Sequence, residues 1–130
     1  MSLQTRRLLA SIAAALWAAA IFYVSSRPGS TLPGGFSVEG HLGEYAVLGV
    51  LLTLALGERR IDLATVALAV LVASLYGVSD EYHQHFVVLR TPDVVDWVLD
   101  TVGASAGALG LYAVSLRRSR TPAETDAERS

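Results

Sequence analysis

The sequence predicts an all-α fold: a bundle of four transmembrane helices with both termini in the cytoplasm. Composition is the first observation behind this prediction, because 52% of the 130 residues are apolar and only 17% are charged. A soluble domain carries about a quarter charged residues. The second observation is the arrangement of the apolar residues, which are gathered into runs at residues 8–24, 42–56, 63–78 and 94–116. The third is the distribution of arginines between these runs.

The lengths of the runs match the thickness of a membrane. A spanning helix requires about 20 mostly apolar residues, with about 17 as the lower limit. The first and last runs meet this requirement directly, and the two middle runs meet it once their flanks are included. The chain is therefore predicted to form one transmembrane domain over residues 1–118, with helices at about 6–25, 38–57, 61–80 and 92–116. Residues 119–130 are predicted to form a disordered cytoplasmic tail.

Helix 1 has a rival interpretation as a cleaved signal peptide. Arg6 and Arg7 would then be its basic region and the Ala-rich stretch its hydrophobic core. However, the apolar run is long for a signal peptide, and three further spans follow it. An uncleaved transmembrane helix is the preferred interpretation.

Arginines predict the orientation, because positive charge beside membrane spans stays on the cytoplasmic side. Four spans place three arginine clusters on the same side of the membrane: Arg6 and Arg7, then Arg59 and Arg60, then Arg117, Arg118 and Arg120. The loops 25–40 and 81–91 then face outward. The chain is accordingly predicted to be a multi-pass protein of the plasma membrane.

The two outer loops differ in character. The first contains Pro28, Pro33 and four glycines, a composition typical of turns. In the second, residues 85–89 are too apolar for a free aqueous loop and too short to cross the membrane. This segment is predicted to lie in the membrane interface or to re-enter the mouth of the bundle.

Ionisable residues gather at the predicted outer ends of the helices. Seven of the twelve carboxylates and all three histidines lie there, together with two arginines: Glu39, Glu44, Asp80, Glu81, Asp93, Asp96, Asp100, His41, His83, His85, Arg27 and Arg90. Because an ionisable group inside a bilayer is costly, such a cluster indicates a functional site. The structural alternative is a hydrogen-bonded cluster that only orients the helices.

Helices 2 and 3 each present polar residues at helical spacing. On helix 2, His41, Glu44 and Tyr45 share one face, which is expected to point into the bundle. On helix 3, Asp80 and Glu81 are adjacent and therefore point about 100° apart. One acid is expected to face the bundle centre and the other a neighbouring helix or loop.

Helix 4 has the clearest predicted start. Thr91 is predicted as the N-cap, followed by Pro92 at the first helical position and Asp93 in the first turn. Asp100 lies about 12 Å below the helix start, too deep for a capping role. Residues spaced three and four positions apart form one stripe that is expected to face the bundle: Asp93, Asp96, Asp100, Gly103, Gly107 and Gly110. The glycines in this stripe permit the backbones of neighbouring helices to approach closely.

Arg90 is the natural counter-ion for this cluster. It can form a salt bridge to Glu44, Glu81 or Asp96, or it can bind a phosphate or sugar acid on a lipid-linked ligand. No metal and no cofactor are predicted, since the histidines and acids lack a recognisable metal-ligand spacing such as His-Glu-x-x-His. The absence of cysteine excludes disulfides and thiol chemistry, and nothing resembles a phosphate-binding loop or a nucleic-acid surface.

Three segments resemble the signatures of the VanZ-like membrane proteins, in the same order. Residues 39–49 have an acidic residue, a histidine and then a tyrosine; residues 76–86 begin with an aromatic-Gly pair and contain Glu-x-x-Gln. Residues 90–103 have an arginine, an aspartate and a second aspartate before a Gly-rich helix. The resemblance covers about residues 8–116. It departs at Val88 and Leu89, where the family often has Pro-Gly, and at Gly40, where lysine is frequent.

The resemblance implies a small integral membrane protein of a family named for resistance to the glycopeptide teicoplanin. It also implies a set of ligand-binding positions: Glu39, His41, Glu44, Tyr45, Glu81, Gln84, Arg90, Asp96 and Asp100. The preferred function is engagement of a lipid-linked cell-envelope ligand in an outward-facing acidic pocket, or modulation of glycopeptide susceptibility. The expected partners are membrane lipids and a lipid-linked precursor or glycopeptide, with no nucleic acid. The oligomeric state is left open.

Two alternatives belong to other functional classes. The first is a membrane-embedded enzyme that acts on a lipid-linked envelope substrate by acid/base chemistry, with these candidate catalytic residues: Glu44, Glu81, Asp96, Asp100 and His41. The second is a small proton- or cation-coupled carrier. A carrier requires a polar route below Asp100, where the stripe on helix 4 consists of glycine.

Overall fold

A computed structural model describes residues 1–29 and 38–120 of the chain. Within these ranges the secondary structure is entirely helical, with α1 (Leu3–Ser25), α2 (Val38–Leu56), α3 (Leu63–Gln84) and α4 (Val94–Arg120). All four helices are long and apolar enough to cross a membrane. The predicted all-α bundle of four membrane-spanning helices is confirmed. The predicted first outer loop falls largely on residues 30–37, and most of the predicted tail on residues 121–130, both outside the described ranges.

Polar side chains begin three of the helices. Ser2 accepts a hydrogen bond from the Thr5 N–H at 3.1 Å at the start of α1, and Asp62 accepts one from the Thr65 N–H at 2.8 Å at the start of α3. At α4 the cap is Asp93, whose carboxylate accepts from the N–H of the second helical residue at 2.8 Å. These bonds satisfy N–H groups that have no partner within the helix.

The predicted N-cap of α4 was wrong. Thr91 and Pro92 precede the helix, which begins at Val94. The physical reason is a contact between helices: the Glu81 carboxylate accepts a hydrogen bond from the Asp93 N–H at 2.9 Å. This bond holds Asp93 at the helix start and leaves its own side chain free to cap.

α2 is the central helix of the bundle. It contacts each of the other helices and packs most extensively against α4, whereas the contact between α1 and α3 is small. Among the described residues, α1 and α4 do not touch. α1 is therefore the helix with the least packing around it.

The contact between α2 and α4 depends on glycine. A Cβ atom added at Gly103 would lie 2.5 Å from the carbonyl oxygen of Leu42, and one added at Gly107 would collide with the carbonyl of Ala46. The predicted close approach of backbones is therefore present. Gly110 was wrongly assigned to this face: it is exposed, with open space around the position of an added Cβ atom.

Two arginines join the start of α1 to the end of α2. Arg7 donates a hydrogen bond to the carbonyl oxygen of Ala55 at 3.1 Å, and Arg6 donates to that of Glu58 at 2.7 Å. Cations are favourable at helix C-termini, where carbonyl groups lack helical partners. Arg6 and Arg7, from which the sequence predicts the orientation of the first helix, thus also hold two antiparallel helices together.

The loop after α3 lies on the surface of the bundle. Its large apolar side chains are exposed: Phe86 by 69%, Val88 by 70% and Leu89 by 73%. Exposure of this kind favours the interfacial form of the loop over the re-entrant one. Leu89 has a φ angle of 59°, in the left-handed region that favours glycine. Glycine, which the VanZ-like proteins often have at this position, would adopt this backbone conformation more easily than leucine.

Candidate functional site

The candidate site lies at one end of the bundle, where α1 and α3 end and α2 and α4 begin. Up-and-down connectivity brings these four helix ends together. A cavity there is lined by residues of α1, α2, α3 and the loop before α4: Ile21, Val24, Ser25, His41, Glu44, Tyr45, Asp80, Gln84 and Arg90. The cavity has a volume of about 10 Å³, which is room for about one water molecule.

His41 is held between two carboxylates of α4. Its Nδ1 atom lies 2.8 Å from Oδ1 of Asp100, and its Nε2 atom lies 3.6 Å from Oδ2 of Asp96. His41 is 5% exposed and Asp100 is 1% exposed, so this contact is the polar centre of the α2–α4 interface. An imidazole in such a position can hold or transfer a proton.

Asp80 links α3 to α1. The Ser25 hydroxyl donates a hydrogen bond to Oδ1 of Asp80 at 2.6 Å, and the Gln84 amide donates to Oδ2 at 3.3 Å. All three side chains are buried. The Ser25–Asp80 bond joins α1 to α3, as do the hydrogen bond from Tyr76 to the Ala18 carbonyl and the stacked rings of Phe22 and His83.

Glu81 is directed away from the cavity, towards the start of α4. One of its carboxylate oxygens accepts the Asp93 N–H, as described above, and the other is buried with no hydrogen-bond partner among the described residues. The adjacent acids Asp80 and Glu81 therefore face different neighbouring helices. Glu81 positions α4 and lies outside the cavity wall.

Arg90 closes one side of the cavity. Its guanidinium donates hydrogen bonds to the carbonyl oxygens of Val24 at 3.2 Å and Arg27 at 3.3 Å, at the C-terminal end of α1, where a cation is favourable. Glu44 lines the same cavity and is half-buried. Glu39 lies in the first turn of α2, exposed and outside the cavity wall.

Two buried polar atoms at the site have no hydrogen-bond partner within residues 1–29 and 38–120: the Tyr45 hydroxyl and Oδ2 of Asp100. Tyr45 lines the cavity, and its ring lies 6.3 Å from that of Tyr76, centroid to centroid. A buried polar group without a partner costs about 1–3 kcal/mol. Such groups in proteins are generally satisfied by water or by a ligand.

An apolar groove lies further along the same three helices, lined by a separate set of residues. Its volume is about 320 Å³. Tyr76 donates a hydrogen bond from its hydroxyl to the Ala18 carbonyl at 2.6 Å. Small residues of α1 line one side of the groove, and mostly larger residues of α2 and α3 line the other: Ser11, Ala14, Ala15, Ala18, Leu48, Leu52, Ala55, Leu56, Val72 and Tyr76. The cleft between α1, α2 and α3 is thus polar at one end and apolar below.

The structure brings together most of the positions singled out in the sequence. Five line the cavity: His41, Glu44, Tyr45, Gln84 and Arg90. Asp96 and Asp100 contact His41 from α4 without lining the cavity. Glu39 and Glu81 also lie outside the cavity wall. No group of three or more His, Cys, Asp or Glu residues in the described parts of the chain is arranged to hold a metal ion.

Two polar residues of the cavity were missed as ligand-binding candidates, Ser25 and Asp80. Asp80 could have been found, because it lies one helical turn before Gln84 on the same face. No local signal marks Ser25, whose partner is 55 residues away in the chain. Only the packing of α1 against α3 gives this serine a place in the site.

Comparison with known proteins supplies a family. The model of the VanZ/LLP1 family matches residues 10–116, which include all four helices except the ends of the first and last. Searches of curated proteins and of solved structures found no match. The matched range contains every residue of the cavity wall, and the four apolar helices agree with a multi-pass membrane protein. The chain therefore belongs to the VanZ/LLP1 family.

Proposed function

We propose that this protein binds a lipid-linked component of the cell envelope, with the polar head in the cavity and the hydrocarbon chain in the apolar groove. The observation that carries the proposal is that a polar cavity and an apolar groove follow one another between the same three helices, α1, α2 and α3. An amphiphilic ligand requires this combination, because its chain gains from apolar contact while its head needs hydrogen-bonding partners.

The cavity wall suggests the chemistry of the head group. Glu44 and Asp80 supply acceptors, which suit the hydroxyl or amine groups of a sugar or peptide. Arg90 and the Tyr45 hydroxyl supply donors, which suit a phosphate or a carboxylate. A sugar phosphate or glycopeptide-type head on a long lipid offers both kinds of group.

Entry of such a ligand requires movement of α1. The closed cavity holds about one water molecule, so a head group cannot enter unless the walls separate. The backbone of α1 approaches that of α2 more extensively than that of α3. Its displacement would break the hydrogen bonds from Ser25 to Asp80 and from Tyr76 to the Ala18 carbonyl, and would open the cleft to the surrounding lipid.

A matched pair of substitutions on α1 tests the groove. Ala15 lines the groove and Ala19, one turn further on, does not; both are exposed, so leucine at either leaves the core intact. Lipids carried by the purified full-length protein are extracted and identified by mass spectrometry. We expect Ala15→Leu to lower the amount of a bound phosphorylated or glycosylated lipid several-fold, and Ala19→Leu to leave it unchanged. The same lipids in both variants would contradict the proposal.

The polar head is tested in the same assay with an Asp100→Asn/Arg90→Ala double variant. Loss of the phosphorylated or glycosylated lipid, with protein still folded in the membrane, supports a binding site. Retention would assign both residues to helix packing alone.

Binding of a lipid-linked precursor offers a route to altered glycopeptide susceptibility, because glycopeptides and the protein would then share a ligand. In cells whose susceptibility to teicoplanin changes when this protein is produced, we expect Asp100→Asn and Glu44→Gln each to abolish that change. Both variants are expected to insert into the membrane as the native protein does. Full activity in both variants would refute a role for the cavity.

Catalysis is the second candidate, favoured by the contact between His41 and Asp100. A carboxylate 2.8 Å from Nδ1 orients an imidazole for acid/base work. Incubation of the purified protein with its co-purified lipid tests this, with His41→Gln as the inactive comparison. Intact lipid after prolonged incubation would leave binding as the function. The carrier alternative is disfavoured, because the backbones of α2 and α4 meet at Gly103 and Gly107, directly below Asp100.

A further inference from the structure

We propose that the opposite end of the bundle binds an anionic phospholipid. A pocket of about 300 Å³ lies there between the start of α1, the link from α2 to α3 and the end of α4. It shares no residue with the cavity or the apolar groove. The lining combines arginines with apolar side chains: Arg6, Arg59, Arg60, Arg118, Leu54, Ile61, Leu111, Val114 and Leu116, beside Ser115 and Ser119.

The charge of this pocket is positive and has no internal compensation. Four arginines line it and no carboxylate does, within the described part of the chain. Arg59, Arg60 and Arg118 form no ion pair with an acid of residues 1–29 or 38–120. Since a guanidinium stays charged at any physiological pH, the complementary ligand is an anion.

Arg6 adds a second observation that points to a ligand. Its Nη2 atom donates to the Glu58 carbonyl, but its Nε atom is buried with no acceptor among the described residues. A buried donor of this kind calls for an acceptor oxygen at the base of the pocket. A phosphate supplies several such oxygens and suits the fork of a guanidinium.

The apolar part of the wall distinguishes a phospholipid from a free phosphate. Leu111, Val114 and Leu116 on α4 face Leu54 and Ile61 across the pocket, and a free phosphate would make no use of them. An acyl chain would bury these side chains while its phosphate meets the arginines. Basic pockets at the cytoplasmic ends of transmembrane helices bind anionic lipid head groups in this way.

Native mass spectrometry of the full-length protein in detergent tests the proposal. The protein is titrated with phosphatidylglycerol and with phosphatidylcholine of the same acyl chains. We expect phosphatidylglycerol to bind more tightly, and Arg59→Gln and Arg118→Gln each to weaken it by about fivefold. The matched control is Arg27→Gln, which removes the same charge at the other end of the bundle and is expected to leave the affinity unchanged.

Four results would overturn the proposal. Equal affinity for the two lipids, or an equal loss in Arg27→Gln, would reduce the effect to general surface charge. Displacement of phosphatidylglycerol by millimolar inorganic phosphate would identify a free anion as the ligand. Binding seen only after Glu124→Gln, Asp126→Asn and Glu128→Gln are combined would assign the pocket to the acidic C-terminal segment of this chain. Thermal unfolding of each variant verifies that it is folded, and Arg59, on the exposed link, provides a test if Arg118→Gln fails to fold.

Discussion

Gly103→Ala tests the contact that holds the site together. The added Cβ atom would lie 2.5 Å from the Leu42 carbonyl oxygen and 3.0 Å from its Cα atom. Because carbon atoms pack best at about 3.5–4.0 Å, α2 and α4 must separate locally by about 1 Å. Overpacking of this kind costs about 1–3 kcal/mol. The effect is expected towards the upper end, since Leu42 follows His41 and the separation also stretches the hydrogen bond from His41 to Asp100.

The matched control is Gly110→Ala, on the same helix. A Cβ atom at Gly110 meets nothing within 4 Å. Alanine is favoured over glycine within a helix by about 0.5–1 kcal/mol, and both variants receive this gain. The difference between their unfolding free energies therefore isolates the steric cost, expected to be about 1–3 kcal/mol.

Unfolding of the purified protein in mixed micelles, followed by circular dichroism against increasing denaturing detergent, measures both free energies. Gly110→Ala is expected to equal or exceed the native protein, and Gly103→Ala to fall below it. If Gly103→Ala proves as stable as Gly110→Ala, the backbones of α2 and α4 are not in contact at this point, and the geometry of His41 and Asp100 argued above would lose its basis.

Two further expectations concern topology and pH. Reporter domains fused after Arg60 and Arg118 are expected to read cytoplasmic, and one fused near Pro33, which lies outside the described residues, to read external; any other pattern breaks the proposed orientation. At the start of α3, the hydrogen bond from the Thr65 N–H holds the pKa of Asp62 below its usual value of 3.8. A lowered pKa in the folded protein adds stability that is present above pH 3.8 and is lost as the pH falls through the lowered value. Asp62→Ala should therefore lower the thermal unfolding midpoint at pH 7, and its difference from the native protein should shrink as the pH falls below 3.8, whereas a constant difference would contradict the capping role.

Much of the polar cluster could be anticipated without the structure. Helical spacing alone put His41, Glu44 and Tyr45 on one face of α2, and the cost of a charge in lipid turned that face inward. His41 and Tyr45 are indeed buried, and all three line one cavity. Asp80 obeys the same rule, because it lies four residues before Gln84 on the same face of α3.

The partners of these groups could not be anticipated. Arg90 was expected to form a salt bridge or to bind a phosphate or sugar acid. It lines the cavity with Glu44, and it also donates hydrogen bonds to the carbonyls of Val24 and Arg27 at the end of α1, which the sequence did not predict. Glu81, which the resemblance gives as a ligand-binding position, accepts a hydrogen bond from the Asp93 N–H at the start of α4, a contact that the sequence did not predict. In each case the partner is on another helix, and sequence periodicity specifies the face of a residue but not what lies opposite.

The sequence by itself determined the four spans and the faces that turn inward. Both depend on local properties: the length of an apolar run against the thickness of a bilayer, and the 3.6-residue period of a helix. Only the tertiary structure decided which polar groups meet and that a polar cavity and an apolar groove lie between the same three helices. Those features depend on the crossing of helices, which is set by backbone contact at Gly103 and Gly107 and by hydrogen bonds between residues more than 50 positions apart.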